Sequence, residues 1–246
     1  MNRARLVASL IVALAVTVTV TGAGSALWMY RRQPVPRSHH VVVLPPASSA
    51  PSPRPAIGNP GALHYLGVFE HDTADAYRPL TLFTSVAARK PNLTVYYSSW
   101  GMPFRARFAT AAARAGAVVL VHMEPWHQSM ASIAAGYSDA YLHRFAAAVR
   151  RYGGQVIMSF APEADGRWYP WGWHHTRPAE WVAAWRHVVT VFRQSGATNV
   201  TWLWDMSGSS RATGHVRNWW PGRSYVNWVG VDGYYFTRSD TFRTVI

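Results

Sequence analysis

The residues best suited to chemistry lie in one stretch, Ser159 to Gly172, where a carboxylate is followed by several aromatic rings. Glu163 comes just after an apolar run, Gln155–Phe160, that has the character of a buried strand. Flat rings stack on the faces of sugars, and a partly desolvated carboxyl group keeps its proton to higher pH. This pattern suits a sugar-cleaving site. From these residues alone, a structural acid paired with an arginine such as Arg167 is an equally good interpretation.

Other candidate site residues follow neighbouring apolar runs. His122 and Glu124 are two positions apart, so in a strand they face the same way. With His127 they could hold a metal ion, but no H-E-x-x-H pattern is present. We expect His122 and Glu124 to line a substrate site, with a hydrogen-bonded role at the strand end as the alternative. Asp232 either serves the site or holds a turn. We expect no metal ion and no cofactor.

The aromatic content is high, with 13 Trp and 12 Tyr in 246 residues. Such a chain can build a core and keep rings for a binding surface. Of Trp168, Trp171 and Trp173, we expect at least one to contact sugar and the others to support the loop. Trp204 is a further candidate sugar platform. For each tryptophan, a place in the core is the alternative.

Six strand-like segments position these residues, and helical patterns separate most of them. They are His64–Glu70, Leu93–Trp100, Val118–Glu124, Gln155–Phe160, Val200–Trp204 and Val226–Val231. Alternating strands and helices predict a parallel sheet with right-handed crossovers. Polar or aromatic residues follow almost every strand, which favours a (β/α)8 TIM barrel, where strand ends surround one pocket. An open doubly wound sheet is disfavoured because no Gly-rich phosphate turn is present.

The segments before this domain differ in composition. Residues 1–32 hold an apolar run between short basic ends, typical of a signal peptide or an N-terminal membrane anchor. Residues 33–61 are rich in Pro, Ser and Ala and predict a disordered linker. The folded domain is expected over residues 62–246. We therefore expect the protein to be secreted or anchored to the outer face of the cytoplasmic membrane, with no other membrane contact.

Several function classes are disfavoured. The net charge of +13 is scattered and carried almost entirely by Arg, without a basic run or nucleic-acid motif, so we expect no nucleic-acid partner. The absence of Cys excludes disulfides and thiolate chemistry. Ser207 lies in no G-x-S-x-G context, which argues against a serine hydrolase. We expect a monomer.

Four segments together resemble glycoside hydrolase family 26, and the resemblance runs from about Leu66 to Tyr235. They are the fourth strand with Glu163 and the Asp-Gly-Arg-Trp-Tyr-Pro-Trp-Gly after it, then Trp181–Val189, Thr198–Trp204 and Tyr225–Tyr234. The family consists of retaining (β/α)8 enzymes, mostly endo-β-1,4-mannanases, with some β-glucanases and β-xylanases. The resemblance implies a polysaccharide substrate, mannan or a related β-glycan, and favours catalysis by Glu163.

The resemblance also implies residue roles. Glu163 corresponds to the acid/base carboxylate, Trp168 and Tyr169 to the aromatic wall beside it, and Tyr234 to a tyrosine that orients the nucleophile. Two departures stand out. The family usually has His before the acid/base, where this chain has Pro162, and Met-Asn-Gly after it, where this chain has Ala-Asp-Gly. If Asp165 lies close to Glu163, it makes Glu163 harder to ionise.

The family's nucleophilic Glu follows strand seven, whereas this sequence stops at Ile246, shortly after strand six. We therefore expect an incomplete barrel of about six βα units from a truncated reading frame, poorly stable and weakly active on its own. The leading hypothesis is an endo-β-1,4-mannanase-like glycoside hydrolase with its nucleophile strand missing. The alternative is a non-catalytic glycan-binding remnant or pseudoenzyme.

Overall fold

The computed structural model describes residues 65–69, 78–207, 215–235, 237–241 and 243, without the side chains of residues 78–80 and 82. The predicted leader at 1–32 and linker at 33–61 lie outside these ranges, as do His64 and Glu70 of the first predicted strand. None of the helices in the described ranges combines the length and apolar character needed to cross a bilayer.

Six parallel strands form one sheet, in the order in which they occur along the chain. They are β1 Gly67–Phe69, β2 Leu93–Ser99, β3 Val118–Glu124, β4 Val156–Phe160, β5 Val200–Met206 and β6 Trp228–Val231. The predicted segments are all confirmed, with ends that shift by a few residues. Sequential parallel order with helical crossovers is the arrangement of a (β/α)8 barrel, so the predicted incomplete barrel is confirmed.

Five helices accompany the strands within the described residues. They are α1 Arg78–Ala87, α2 Ala106–Arg114, α3 Met130–Ala134, α4 Asp139–Tyr152 and α5 Pro178–Gln194, with short 3-10 turns at Val216–Trp219 and Arg223–Tyr225. Helix α5 starts with Pro in its first turn, where the missing N–H is harmless. Helix α4 ends at Gly153, whose left-handed backbone (φ +76°) suits glycine.

The two faces of the sheet bury different side chains because successive residues of a strand point in opposite directions. The interior cluster comprises Leu93, Val95, Leu120, Ile157 and Leu203. The outer face packs against the helices in a larger cluster that includes Phe145, Trp181 and Trp185. Burying each such side chain contributes about 1.5–3 kcal/mol relative to exposure.

The sheet is curled. The ring of Tyr65, just before β1, lies 5.4 Å from the ring of Trp228 in β6, although these strands are at opposite edges of the sheet. A flat sheet would hold them about 24 Å apart, since five spacings of about 4.8 Å separate β1 from β6. This curvature brings the carboxyl ends of all six strands toward one another.

Candidate active site

Acidic residues gather at the carboxyl end of the curled sheet. They are Glu124 at the end of β3, Glu163 and Asp165 after β4, Asp205 in β5 and Asp232 after β6. The first four are buried, with exposed fractions of 9% or less. The chain has only 11 acidic residues and a net charge of +13, so this concentration of carboxyl groups runs against its overall charge.

The backbone that carries Glu163 is unusual. Ala161 and Glu163 both have left-handed φ angles, +46° and +52°, on either side of Pro162. Such values are uncommon for residues other than glycine, and a residue before proline normally prefers extended backbone. Left-handed backbone of this kind persists only where contacts with neighbouring residues hold it in place. Such conformations are concentrated at functional sites.

Hydrogen bonds hold each residue of this turn. The Ala161 N–H donates to the Met123 carbonyl at 2.9 Å, and the Ala161 carbonyl accepts from Trp181 Nε1 at 3.2 Å. The Pro162 carbonyl accepts from Trp171 Nε1 at 2.8 Å. The Glu163 N–H donates to the Asp205 carbonyl at 2.9 Å. Strands β3 and β5, helix α5 and the following loop therefore fix the turn together.

The side chain of Glu163 is held by two donors. Trp168 Nε1–H donates to its Oε2 at 2.8 Å, and the Tyr234 hydroxyl donates to its Oε1 at 3.2 Å. The residue is 4% exposed. Burial and then the Asp232 carboxylate raise the pKa of Glu163 to about 8, against the opposing effect of these two hydrogen bonds. A carboxyl group in this state keeps a proton at neutral pH and can donate it.

Asp165 lies close enough to Glu163 for its charge to act on this acid, so the condition set from the sequence is met. It adds a smaller upward effect on the pKa of Glu163. Its own carboxylate accepts two hydrogen bonds from Ser207, from the N–H and from the hydroxyl, each at 2.9 Å. Asp165 thus links the loop after β4 to the end of β5.

The aromatic residues after Glu163 divide into exposed and supporting rings. Trp168 is 38% exposed, whereas Trp171 is 1% exposed. Tyr169 stacks on Trp171 with ring centroids 4.4 Å apart, and Trp126 packs edge-on against both. Trp173 is partly buried against the core. The exposed ring of Trp168 is therefore the one of these tryptophans most accessible to a sugar.

His122 and Glu124 lie on the interior face of β3. His122 stacks on Tyr97 of β2 at 4.8 Å, and its Nδ1 is 3.8 Å from Asp205 Oδ2, beyond direct hydrogen-bond reach. Glu124 Oε2 accepts a hydrogen bond from Trp126 Nε1 at 3.0 Å. Burial raises the pKa of Glu124 to about 7. Both groups can therefore face a ligand in the mouth of the barrel.

The alternative metal site is not assembled. His127 is exposed in the loop after β3, whereas His122 and Glu124 are buried. Among the residues with described placement, no group of three His, Cys, Asp or Glu side chains could hold a metal ion.

The position of Trp204 in the structure contradicts its predicted role as a sugar platform. It neighbours Asp205 in β5, so the two side chains point to opposite faces of the sheet. Trp204 is 7% exposed, donates from Nε1 to the Trp219 carbonyl at 3.1 Å, and packs in the outer core. It faces the helical layer instead of Glu163, so the expectation of a sugar platform here is wrong.

Two site residues were not singled out from the sequence. Tyr97 follows Leu93 and Val95 at alternate positions of β2 and shares their interior face. Asp205 follows Leu203 of β5 in the same way. Its side chain lies where Gly230 of β6 leaves room, since a Cβ on Gly230 would be 2.6 Å from Asp205 Oδ1. Period-two alternation along the strands was the signal that could have identified both residues.

The carboxyl-terminal half of the chain is similar to a known protein family. Residues 132–246 match the sequence model described as glycosyl hydrolase family 26. This part of the chain belongs to that family. The matched region includes Glu163, Asp165, Asp205 and Tyr234, so most of the candidate site lies inside the family 26 region.

Individual relatives cover different parts of the chain. Endoglucanase H of Acetivibrio thermocellus is 30% identical over 159 residues, which are 62% of this chain and 18% of that protein. The β-1,3-xylanase TXYA of a Vibrio species is 30% identical over 111 residues, 44% of this chain and 23% of that protein. The chain therefore spans less than a quarter of the length of these curated relatives.

Solved structures share the fold. A modular endo-β-1,4-mannanase from Cellulomonas fimi superposes with a TM-score of 0.53 at 19% identity, covering 66% of this chain and 45% of that one. GH26A from a Muricauda species gives 0.52 at 13% identity, covering 67% and 65%. At these identities the likeness establishes the barrel fold of family 26 alone.

The contact that Tyr234 makes in the structure differs from the role that the family 26 resemblance implies for it. The resemblance assigns this residue to the nucleophile, whereas its hydroxyl here donates to Glu163. Glu163, which the resemblance assigns as the acid/base, follows β4. By the resemblance, the nucleophile follows a seventh strand.

Proposed function

We propose that this chain carries the acid/base half of a retaining glycoside hydrolase acting on β-linked polysaccharide. The observation that carries the proposal is the Glu163 carboxyl group, buried after β4, with its pKa raised to about 8 and both oxygens held by Trp168 and Tyr234. A general acid needs a proton at working pH and a fixed position beside the leaving oxygen.

The reaction would proceed in two steps. Glu163 gives its proton to the glycosidic oxygen as the bond to the anomeric carbon breaks, and a second carboxylate attacks that carbon. The hydrogen bonds from Trp168 and Tyr234 stabilise the carboxylate that Glu163 leaves behind. Glu163 then takes a proton from the water that releases the sugar. The second carboxylate lies roughly 5–5.5 Å from the first in retaining enzymes, and we place it after the seventh strand of the family.

The proposed substrate is β-1,4-mannan. The named solved relative from Cellulomonas fimi is an endo-β-1,4-mannanase, whereas the curated relatives include an endoglucanase and a β-1,3-xylanase. The exposed ring of Trp168 supplies a stacking surface that suits any of these sugars. Mannan, mixed-linkage glucan and xylan therefore belong in one substrate panel.

The decisive variant is Glu163→Gln, assayed on that panel in the full chain and in a version extended through the downstream coding sequence. Loss of roughly 10²-fold or more in rate fits a general acid. Glu180→Gln is the matched control, because Glu180 pairs with Arg177 at the start of α5, on the outer helical layer. If the extended chain binds glycan but neither it nor its variant hydrolyses any, the protein is a glycan-binding remnant instead.

The proposal includes export and a monomeric state. The apolar segment within residues 1–32 would direct the domain out of the cytoplasm, as a cleaved leader or as an anchor. Cell fractionation tests the first statement, and recovery of all the full-length protein in the cytosol would contradict it. Size-exclusion chromatography with light scattering tests the second.

A further inference from the structure

We propose that Asp165 is a positioning residue for Glu163. By binding Ser207 at the end of β5, Asp165 holds Glu163 in place. The inference rests on the proposed function, because it assigns a supporting role within the same site. Asp165 does not need to touch substrate in this role. It acts through the backbone that carries Glu163.

The geometry of the link is specific. Asp165 is 3% exposed, and each of its carboxylate oxygens accepts one hydrogen bond from Ser207, from the N–H and from the hydroxyl, at 2.9 Å. Ser207 is 1% exposed, so both bonds are shielded from water. Buried bonds to a charged acceptor contribute more than neutral ones.

The link continues the pairing between strands β4 and β5. Regular pairing ends with Met158 opposite Trp202. Farther along, the Glu163 N–H bonds the Asp205 carbonyl, and two residues later on both segments Asp165 bonds Ser207. The carboxylate of Asp165 therefore takes the place of a backbone acceptor after the loop has left the sheet.

The turn needs such support because Glu163 has a left-handed backbone, with φ +52°. Without the Asp165 side chain, two hydrogen bonds to Ser207 disappear, and the bond from Glu163 to Asp205 remains. A less constrained turn can relax toward ordinary backbone. That relaxation would move the Glu163 carboxyl group away from Trp168 and Tyr234.

The competing explanation is that Asp165 affects Glu163 only through its negative charge. A substitution with asparagine separates this charge from the hydrogen bonds to Ser207. The family 26 resemblance leads us to expect Asn where this chain has Asp165. An asparagine can keep both contacts with Ser207, accepting with Oδ1 and donating with Nδ2, but it carries no charge. Asp165→Asn thus removes charge and retains position, whereas Asp165→Ala removes both.

Other groups around Glu163 stay constant in this comparison. Asp232 and Tyr234 approach from β6 and the residues after it, and Asp205 from β5. Burial raises the pKa values of Tyr97 of β2 and Tyr169 of the loop, and the nearby Glu124 and Glu163 charges raise them further. His122 of β3 faces Asp205. None of these groups is altered by changes at position 165.

The test uses carboxyl-13C glutamate NMR on the full chain, which contains four glutamates, Glu70, Glu124, Glu163 and Glu180. Glu163→Gln assigns the signal. We expect Asp165→Ala to lower the Glu163 titration midpoint by at least about one pH unit. Burial is the largest cause of the raised pKa, so the water that the carboxyl group gains outweighs the loss of the Trp168 and Tyr234 donors. The Trp168 indole N–H signal should then stop following that titration. Asp165→Asn should give a smaller decrease and keep the indole signal coupled.

Equal shifts in the two variants would mean that Asp165 acts by charge alone, and no shift in either would mean that it has no role. Both outcomes overturn the proposal. If Asp165→Ala does not fold, Ser207→Ala decides, since it removes one bond and keeps the Asp165 charge: a lower Glu163 midpoint supports the proposal, and an unchanged midpoint overturns it.

The control is Asp139→Asn, which alters an acid that pairs with His187 between α4 and α5, outside the site. Its Glu163 titration should match that of the unaltered chain. These readouts do not require catalysis. Failure of Glu163→Gln to affect hydrolysis would reject the proposed function while leaving the NMR result for Asp165 intact.

Discussion

Trp168 donates a hydrogen bond from its indole Nε1–H to Glu163 Oε2 at 2.8 Å while 38% of the residue stays exposed. One residue thus orients the acid and presents a flat ring at the mouth of the barrel. The ring lies directly over Gly166, since a Cβ there would come within 2.3 Å of it. The position of the acid and the surface offered to a sugar are therefore coupled through a single side chain.

Trp168→Phe tests this coupling. The variant keeps an aromatic ring but loses the donor that stabilises the ionised form of Glu163, so the pKa of Glu163 should rise further and kcat should fall roughly tenfold or more. A pH–rate profile and the 13C titration measure the two effects. Trp220→Phe is the matched control, because Trp220 has the same 38% exposure and packs against Trp204 on the outer side. Equal losses in both variants would contradict a specific role for Trp168.

Gly166→Ala should impair activity more than stability. The added methyl group meets the ring of Trp168, which can swing toward solvent and would then lose its hydrogen bond to Glu163. We expect a decrease in kcat similar to that of Trp168→Phe and a melting temperature close to that of the unaltered chain. A full loss of folding with no soluble protein would be inconsistent with this explanation.

Gly172→Ala should show the opposite pattern, with stability as the main loss. A Cβ at this position would lie 2.2 Å from the backbone carbonyl oxygen of Gly166, and backbone cannot rotate away as a side chain can. Overpacking of this kind typically costs about 1–3 kcal/mol. Chemical denaturation of the two glycine variants, side by side, measures the difference. An unchanged unfolding midpoint for Gly172→Ala would show that the loop packs less tightly than the geometry indicates.

Gly230→Ala probes the buried Asp205. The new Cβ would lie 2.6 Å from Asp205 Oδ1, and the carbonyl of Asp205 holds the Glu163 N–H. We expect a loss of about 1–3 kcal/mol in stability together with reduced activity. Val229→Ala, on the adjacent outward-facing position with 49% exposure, should change stability by only about 0.5 kcal/mol. Comparable losses in the two variants would indicate a general weakness of β6.

Stability should fall as pH rises through neutrality. The folded-state pKa values of Glu124 and Glu163, about 7 and about 8, lie above their ordinary value of 4.5. The folded protein therefore binds more protons than the unfolded chain, and the resulting stabilisation, present below pH 4.5, is lost by about pH 8. Denaturation at a series of pH values measures the slope. Glu163→Gln should flatten it, and a slope that is unchanged in this variant would show that Glu163 does not titrate there.

Much of the fold follows from local patterns. The run Val118–Glu124 is a strand over its full predicted length, and the apolar stripe of α5 is buried as its spacing requires. Arg177 is the N-cap of α5 and makes no side-chain capping bond, although Thr176 beside it is the better capping residue by type. Ser138 occupies the N-cap of α4 but makes no side-chain capping bond. Such boundary differences arise because tertiary contacts select among neighbouring residues of similar propensity.

The residues of the candidate site were harder to predict from the sequence than the fold was. Trp204 appeared suitable because it is aromatic and near a strand end, yet its neighbour Asp205 takes the interior face. Alternate side chains of β5 point to opposite faces of the sheet, so either Trp204 or Asp205 can face the interior, but not both. A one-residue change in the register of β5 would exchange the two.

The order of strands and helices, the acid after β4 and the aromatic loop that follows it could be predicted from the sequence, because they depend on periodicity and on residues close together in the chain. Which side chains meet Glu163 depends on the folded arrangement of distant segments. Tyr234 and Asp205 are distant in sequence and reach the acid because the parallel sheet curls and brings its carboxyl ends together. The raised pKa of Glu163 likewise results from burial and from Asp232, which long-range packing alone supplies.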